Sequence, residues 1–213
     1  MFSKYYPQQF SQLIFEDKSV AKRLNKYASG TKTKSLLLYG QPGTAKSLTA
    51  RLIAIEASKS SQKQRLFQAS DATVINGDDW NKKSETKIIQ TWWHQSPYVV
   101  IDEVDELEKE QKSLTKIIDK WGEHGGLILT TNKHPNDLLE RLVSRCEVIK
   151  LGGLSEQTVF PLVRQIFNDG GIGHRYTDAD INTLIKGTQV SGLSSWRSIE
   201  DMVDDEIYYW LNK

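Results

Sequence analysis

Gly40-Gln41-Pro42-Gly43-Thr44-Ala45-Lys46-Ser47 follows Ser35-Leu36-Leu37-Leu38-Tyr39, an apolar run of buried-strand length. After it, Leu48, Leu52, Ile53 and Ile55 recur among alanines and read as a helix with an apolar face. A Gly-rich turn between a strand and a helix is the context that turns this pattern into a phosphate loop. Its backbone N–H groups and the positive end of the helix cradle a polyphosphate. In such a loop Lys46 reaches the β/γ-phosphates as a point charge, and the Ser47 hydroxyl ligates Mg²⁺. Ala45 stands where the pattern G-x-x-x-x-G-K-[ST] has its last glycine. A methyl is tolerated there if the residue is already helical, and the first turn of the helix is where Ala45 is expected. A plain Gly/Pro turn with a surface lysine would leave the strand, the helix and the Lys-Ser pair as coincidences.

The chain's 213 residues allow one large domain, or a main domain with a small appendage, and a sizeable core. A 38% apolar and 26% charged composition is that of a soluble globular protein. The formal charge of +1 excludes global basicity, so any nucleic-acid contact must come from local patches. The single cysteine, Cys146, excludes an intrachain disulfide, and no cysteine cluster suggests zinc. The N-terminus lacks the apolar stretch of a signal peptide, and no run reaches membrane-spanning length. The expected location is cytoplasmic, or nuclear in a eukaryote, with no membrane partner.

Along the chain, Ser19–Ala28 is a helical candidate with Val20, Leu24 and Tyr27 on one face. The helix after the phosphate loop is expected to run out into the polar stretch Ser58–Gln64. Thr73–Asn76 reads as a short strand and Asn81–Gln95 as a helix with Ile88, Ile89, Trp92 and Trp93 on its apolar side. Tyr98–Ile101 is an all-apolar strand, so it should be central and covered on both faces. A charged helix over about Lys109–Trp121, a strand over Leu127–Thr131, a short helix over Leu138–Ser144 and a strand over Cys146–Leu151 follow. This alternation predicts an α/β fold, a parallel sheet flanked by helices. From Ser155 onward the spacing predicts three helices and no strand, at about 155–168, 177–187 and 194–212, with Ser155 and Thr177 as starts. The expected domains are a nucleotide-binding α/β unit over 1–152 and a small all-helical lid over 153–213.

The strand ending at Ile101 delivers Asp102 and Glu103 to the sheet edge that carries the phosphate loop, where open α/β sheets bind ligands. Asp102 suits the Mg²⁺ shell. Glu103 suits a general base orienting water at a γ-phosphate. Asp105, Glu106, Glu108 and Glu110 read as a solvated helix start. Asn132, after the next strand, is placed to hold the attacking water or to contact the γ-phosphate, and Asn76 to hydrogen-bond Glu103. Lys82, Lys83 and Lys87, and Lys112, Lys116 and Lys120 on one helical face, are the residues available to nucleic-acid phosphates; the alternative is a solvated face.

The order of phosphate loop, Asp-Glu strand, Asn strand, Leu142-Val143-Ser144-Arg145-Cys146 and a three-helix lid resembles the AAA+ ATPases. It is most similar to clamp-loader small subunits of the replication factor C type, across nearly the whole chain. Lys4-Tyr5-Tyr6-Pro7 resembles the segment that lies over the adenine in that family, with Tyr6 in place of the usual arginine. Val74–Asp79 is similar to its strand ending in Asn-Ala-Ser-Asp. Gln111, Leu114 and Asp119 match its Gln-x-Ala-Leu helix and a later acid. The resemblance implies an ATPase that binds ATP and Mg²⁺. Tyr6, Pro7, Gln41, Pro42, Gly43, Thr44, Ala45, Lys46, Ser47, Leu48 and Arg197 would contact the nucleotide, and Ser47 and Asp102 the metal. Glu103, Lys46 and Asn132 would be catalytic. Arg145 would be an arginine finger acting in trans on a neighbour's site, with Arg141 as the alternative. Arg197 would be a lid arginine contacting the γ-phosphate in cis. For both Arg145 and Arg197 the competing reading is a surface salt bridge. The Ala-Lys-Ser loop variant also resembles that of minichromosome maintenance helicases and MoxR-type proteins.

Clamp-loader subunits carry a helical collar after the lid, whereas this chain stops at Lys213; a fragment, assembly through the AAA+ modules alone, or a collar borrowed elsewhere would each account for that. The resemblance implies a homo- or hetero-oligomer that assembles on DNA and a sliding clamp. Two alternatives stand beside it. One is a helicase loader or mobile-element replication accessory acting on a replicative helicase, and the other is a protein-remodelling switch with no DNA role.

Overall fold

The computed structural model describes residues 2–60, 72–94 and 96–213. The expected polar stretch at 61–64, residue 95 and the side chains of Trp93 and Lys82 lie outside what is described. Five parallel strands form one sheet in the order β2-β3-β4-β1-β5, with β1 Ser35–Tyr39, β2 Val74–Asn76, β3 Tyr98–Asp102, β4 Gly126–Thr131 and β5 Cys146–Lys150. Helices cover both faces: α1 Lys18–Ala28, which precedes β1, and α2 Lys46–Ser60, α3 Lys82–His94, α4 Gln111–Trp121 and the short α5 Glu140–Val143, which connect the strands.

Alternation along each strand sends successive side chains to opposite layers. Leu36 and Leu38 pack with Leu24 and Tyr27 of α1 and Ala50, Ile53 and Ala57 of α2. Leu37 faces the other way, with Ile88 and Trp92 of α3 and Leu114 and Ile117 of α4. Being covered on both sides, β4 is buried along its whole length, and β3 up to Ile101. The register Tyr39↔Thr131 and Asn76↔Asp102 aligns the C-terminal strand ends along one edge.

Beyond β5, α6 Glu156–Asp169, α7 Asp178–Gly187 and α8 Trp196–Leu211 build a second core from Val163, Ile166, Phe167, Ile181, Ile185, Ile199 and Val203. Ser155, Thr177 and Ser195 cap the three helices through their hydroxyls. The expectation of no strand after Ser155 is corrected by a hairpin, β6 Gln189–Val190 and β7 Leu193–Ser194. Its turn residues Ser191 and Gly192 both have positive φ, 54° and 79°, as a two-residue hairpin requires. Reciprocal backbone bonds between Leu154 and Ser194, 2.8 and 2.9 Å, draw Ser194 out of the expected third helix.

Candidate nucleotide site

Three strand ends and the lid enclose a cavity of about 410 Å³. It is lined by Tyr6, Pro7, Pro42, Gly43, Ala45, Lys46, Ser47, Leu48, Glu103, Asn132 and Arg197, so the structure brings together most of the residues singled out from the sequence. Gln41, Thr44 and Asp102 do not face it. The Gln41 carbonyl instead holds the loop, accepting from Thr44 Oγ1 at 2.9 Å and from Lys46 Nζ at 2.8 Å. Thr44 lies on the loop's other side, in an adjoining cavity.

The loop wraps around the Lys46 ammonium, which also donates to the Gly40 carbonyl at 2.9 Å and is almost wholly buried. Burial lowers its pKa, an effect opposed by Asp102 and Asp105. The Ser47 hydroxyl donates to Asp102 Oδ1 at 2.8 Å, so α2 and β3 meet at a hydroxyl and a carboxylate. Such hard oxygen donors fit a Mg²⁺ ion that keeps several waters and takes further ligands from phosphates. Thr130 Oγ1 donates to Asp102 as well and accepts from the Glu103 N–H at 3.2 Å, which ties both acids to β4.

Glu103 is exposed at the cavity, and what burial it has, with the charges of Asp102 and Asp78 next in weight, raises its pKa. Its backbone is left-handed, with φ 55°. Asn76 does not make the expected bond to Glu103: its Oδ1 is buried without a hydrogen-bond partner among the described residues. What approaches Glu103 from β2 is Gly77, where a Cβ would stand 2.4 Å from the Glu103 carbonyl oxygen. Asp105, read as solvated surface, has a side chain only 8% exposed and faces Lys133 at 3.8 Å.

Ala45 corrects another expectation. Its φ is 60°, not helical, and α2 begins at Lys46. The lid meets the loop directly, because the Trp196 N–H donates to the Gly43 carbonyl at 2.9 Å. A Cβ on Gly43 would press on Ser195 at 3.0 Å, so this glycine serves close approach as well as its φ of 77°. Arg197, in the first turn of α8, lines the cavity and makes no hydrogen bond or ion pair among the described residues. Tyr5 and Leu13, of the N-terminal segment expected over the adenine, line the cavity too, whereas sequence reasoning gave no site role to Thr130, Thr131, Trp196 and Glu200, which also line it. Trp196 and Glu200 were reachable, since they flank Arg197 on its own helix.

Arg145 is not in this site. The register Ser35↔Cys146 puts it at the sheet's opposite edge, a five-residue strand, roughly 16 Å, from the loop. There its guanidinium forms a fork with Asp119, Nε to Oδ1 at 2.5 Å and Nη2 to Oδ2 at 2.8 Å, and Nη1 donates to the Arg141 carbonyl at 2.6 Å. The hydrogen bonds lower the Asp119 pKa and raise that of Arg145. Lys112, Lys116 and Lys120 are exposed on the same helix as Asp119, whereas Lys87 turns back to the Val74 carbonyl at 3.4 Å.

The chain is 24% identical over 214 residues to replication factor C small subunit 2 of Pyrobaculum arsenaticum, an alignment covering 95% of this chain and 66% of that one. It is 25% identical over 176 residues to replication factor C subunit 5 of Mus musculus, covering 79% of this chain and 50% of that one. It thus spans no more than about two thirds of the length of these relatives. Among solved structures it resembles AMPPCP-bound DnaA from Aquifex aeolicus, with TM-score 0.62 and 17% identity over 90% of this chain and 62% of that one. Among the described residues no helix is long and apolar enough to cross a membrane. The model of the ATPase family associated with various cellular activities matches residues 36–153, the span of the sheet, its phosphate loop and both acidic strand-end residues, and the chain belongs to that AAA family.

Proposed function

We propose that this chain binds ATP with Mg²⁺ in the cavity and hydrolyses it as one subunit of a homo- or hetero-oligomer assembled on DNA and a sliding clamp, in replication. The observation that carries the reading is the convergence of Lys46, Ser47, Glu103 and Arg197 on one cavity, with Asp102 bound to the Ser47 hydroxyl behind it. Lys46 and the loop amides hold the phosphates, Ser47 and Asp102 the metal. Glu103 takes the proton of a water that Asn132 orients, its raised pKa bringing it nearer to a useful base. Tyr6 and Pro7 cover the base, and Arg197 carries the state of the γ-phosphate into the lid. The working units are residues 1–152 and 153–213, joined at Gly152-Gly153. Arg145 serves the site of the next subunit.

The test is steady-state ATP hydrolysis with and without primed DNA, for wild type, Lys46→Ala and Glu103→Gln, beside nucleotide binding. Primed DNA should stimulate wild type, and the stimulation should fall steeply with salt. Lys46→Ala should lose binding, while Glu103→Gln should bind and turn over at least about a hundredfold more slowly. A Glu103→Gln variant as fast as wild type would remove the assignment of the base. No DNA response would leave a nucleotide switch acting on protein. Capture of a replicative helicase in place of a sliding clamp would make the chain a helicase loader.

A further inference from the structure

The N-terminal segment is fastened at both ends of its path. The Phe10 N–H donates to Glu56 Oε1 on α2 at 2.6 Å, while the Tyr5 hydroxyl binds Asp169 at the end of α6. Between these anchors the Tyr6 hydroxyl donates to Glu200 Oε2 on α8 at 2.9 Å. Tyr5, Tyr6 and Pro7 line the cavity together with Trp196, Arg197 and Glu200 of α8, so the Tyr6–Glu200 bond joins the segment to the lid at the cavity wall.

We propose that Tyr6 and Glu200 form a clasp at the nucleotide cavity, with Glu200 as a positioning residue that sets how long a bound nucleotide stays. The inference rests on the reading of the cavity as a nucleotide site. Glu200 follows Arg197 by three residues, a spacing at which a carboxylate and a guanidinium on a helix pair readily. They do not pair here. Tyr6 takes the carboxylate instead, and the Arg197 guanidinium keeps its donors for a ligand in the cavity. The residue at position 6 is therefore matched to α8: a neutral donor engages Glu200, where a second arginine would add another cation beside Arg197. The hydrogen bond also raises the Tyr6 pKa, so the phenol, a donor at neutral pH in any case, stays one further into the alkaline range. Release of a nucleotide requires the segment and α8 to part, which breaks this bond.

The test is stopped-flow release of the fluorescent analogue mant-ADP, chased with ADP, from wild type, Tyr6→Phe, Glu200→Ala, the double variant and Glu200→Gln. Tyr6→Phe and Glu200→Ala should each release about tenfold faster, the loss expected for one hydrogen bond to a charged acceptor. The double variant should be no faster than either single one. Glu200→Gln keeps an acceptor for the phenol but not its charge, and should release at a rate between those of wild type and Glu200→Ala. Tyr6 is 41% exposed, so Tyr6→Phe should fold normally, checked by an unchanged melting temperature. Unchanged release from Tyr6→Phe, or additive effects in the double variant, would overturn the clasp. Wild type that fails to bind mant-ADP would overturn the nucleotide reading, and the clasp with it.

Discussion

Ala45 and Glu103 flank the cavity with left-handed backbone, φ 60° and 55°, which costs an L-residue about 1–2 kcal/mol each. Both are held by their surroundings. Ala45 is fixed between the Lys46-wrapped loop and the first bond of α2, from the Thr49 N–H to the Ala45 carbonyl at 2.9 Å. Glu103 is fixed between Gly77 and the Thr130 hydroxyl. Strain of this kind gathers at functional sites. Ala45→Gly should relieve it at position 45 and, after the greater entropy of glycine in the unfolded chain, stabilise the protein by about 0.5–1 kcal/mol. Urea denaturation reads this directly; a less stable variant would mean that the alanine backbone is unstrained. The sequence held the clue, because the pattern places a glycine there. Assigning Ala45 to the first helical turn overlooked that the turn into Lys46 demands positive φ whichever residue supplies it.

At the scale of elements, the edge strand β5 is fastened to α1 by one acid. Glu147 accepts hydrogen bonds from Tyr27 Oη at 2.7 Å and Arg23 Nε at 2.9 Å, and from Lys32. Burial works against its charge, but the three donors outweigh it and hold the carboxyl at about 2, below the ordinary 4.5. A carboxylate depressed in the folded state contributes its stability in full above the unfolded pKa and loses it as pH falls through the folded one. That contribution is about 3 kcal/mol and should fade between about pH 4.5 and pH 2. Denaturation from pH 6 to pH 3 should show a steeper decline for wild type than for Glu147→Gln; parallel curves would exclude Glu147 as the source. Both the strand and the helix were legible, through the apolar period of Leu24 and Tyr27 and the short run from Cys146. The acid joining them was not, since nothing local marks Glu147, Arg23 and Lys32 as neighbours across more than a hundred residues. The same limit hid Thr130, whose role comes from strand register, while Lys46 and Ser47 declared themselves by the phosphate-loop pattern and Asp102 and Glu103 by lying at a strand end. The β6–β7 hairpin was missed for a different reason: its two-residue strands are too short to show a period, and only Ser191-Gly192 announced a turn.

Across the whole molecule, the cavity and the Arg145–Asp119 fork occupy opposite edges of the sheet. A strand's length separates them, so Arg145 cannot serve the phosphates held by its own chain. Asp119 holds the guanidinium at the surface in a two-bond fork, with the exposed lysines of α4 alongside. If the finger completes a neighbour's site, wild-type turnover per chain should rise with protein concentration. Arg145→Ala should bind ATP normally yet hydrolyse it at least about a hundredfold more slowly, as loss of an arginine finger does. Lys46→Ala should be equally inactive for the opposite reason, an intact finger beside a site that holds no ATP. Mixing the two inactive variants in equal amounts pairs intact sites with intact fingers and should restore hydrolysis, because each interface needs only one of each. A mixture that stays inactive while wild type turns over at a rate per chain independent of concentration would sink the trans assignment and leave the Asp119 fork as a surface salt bridge.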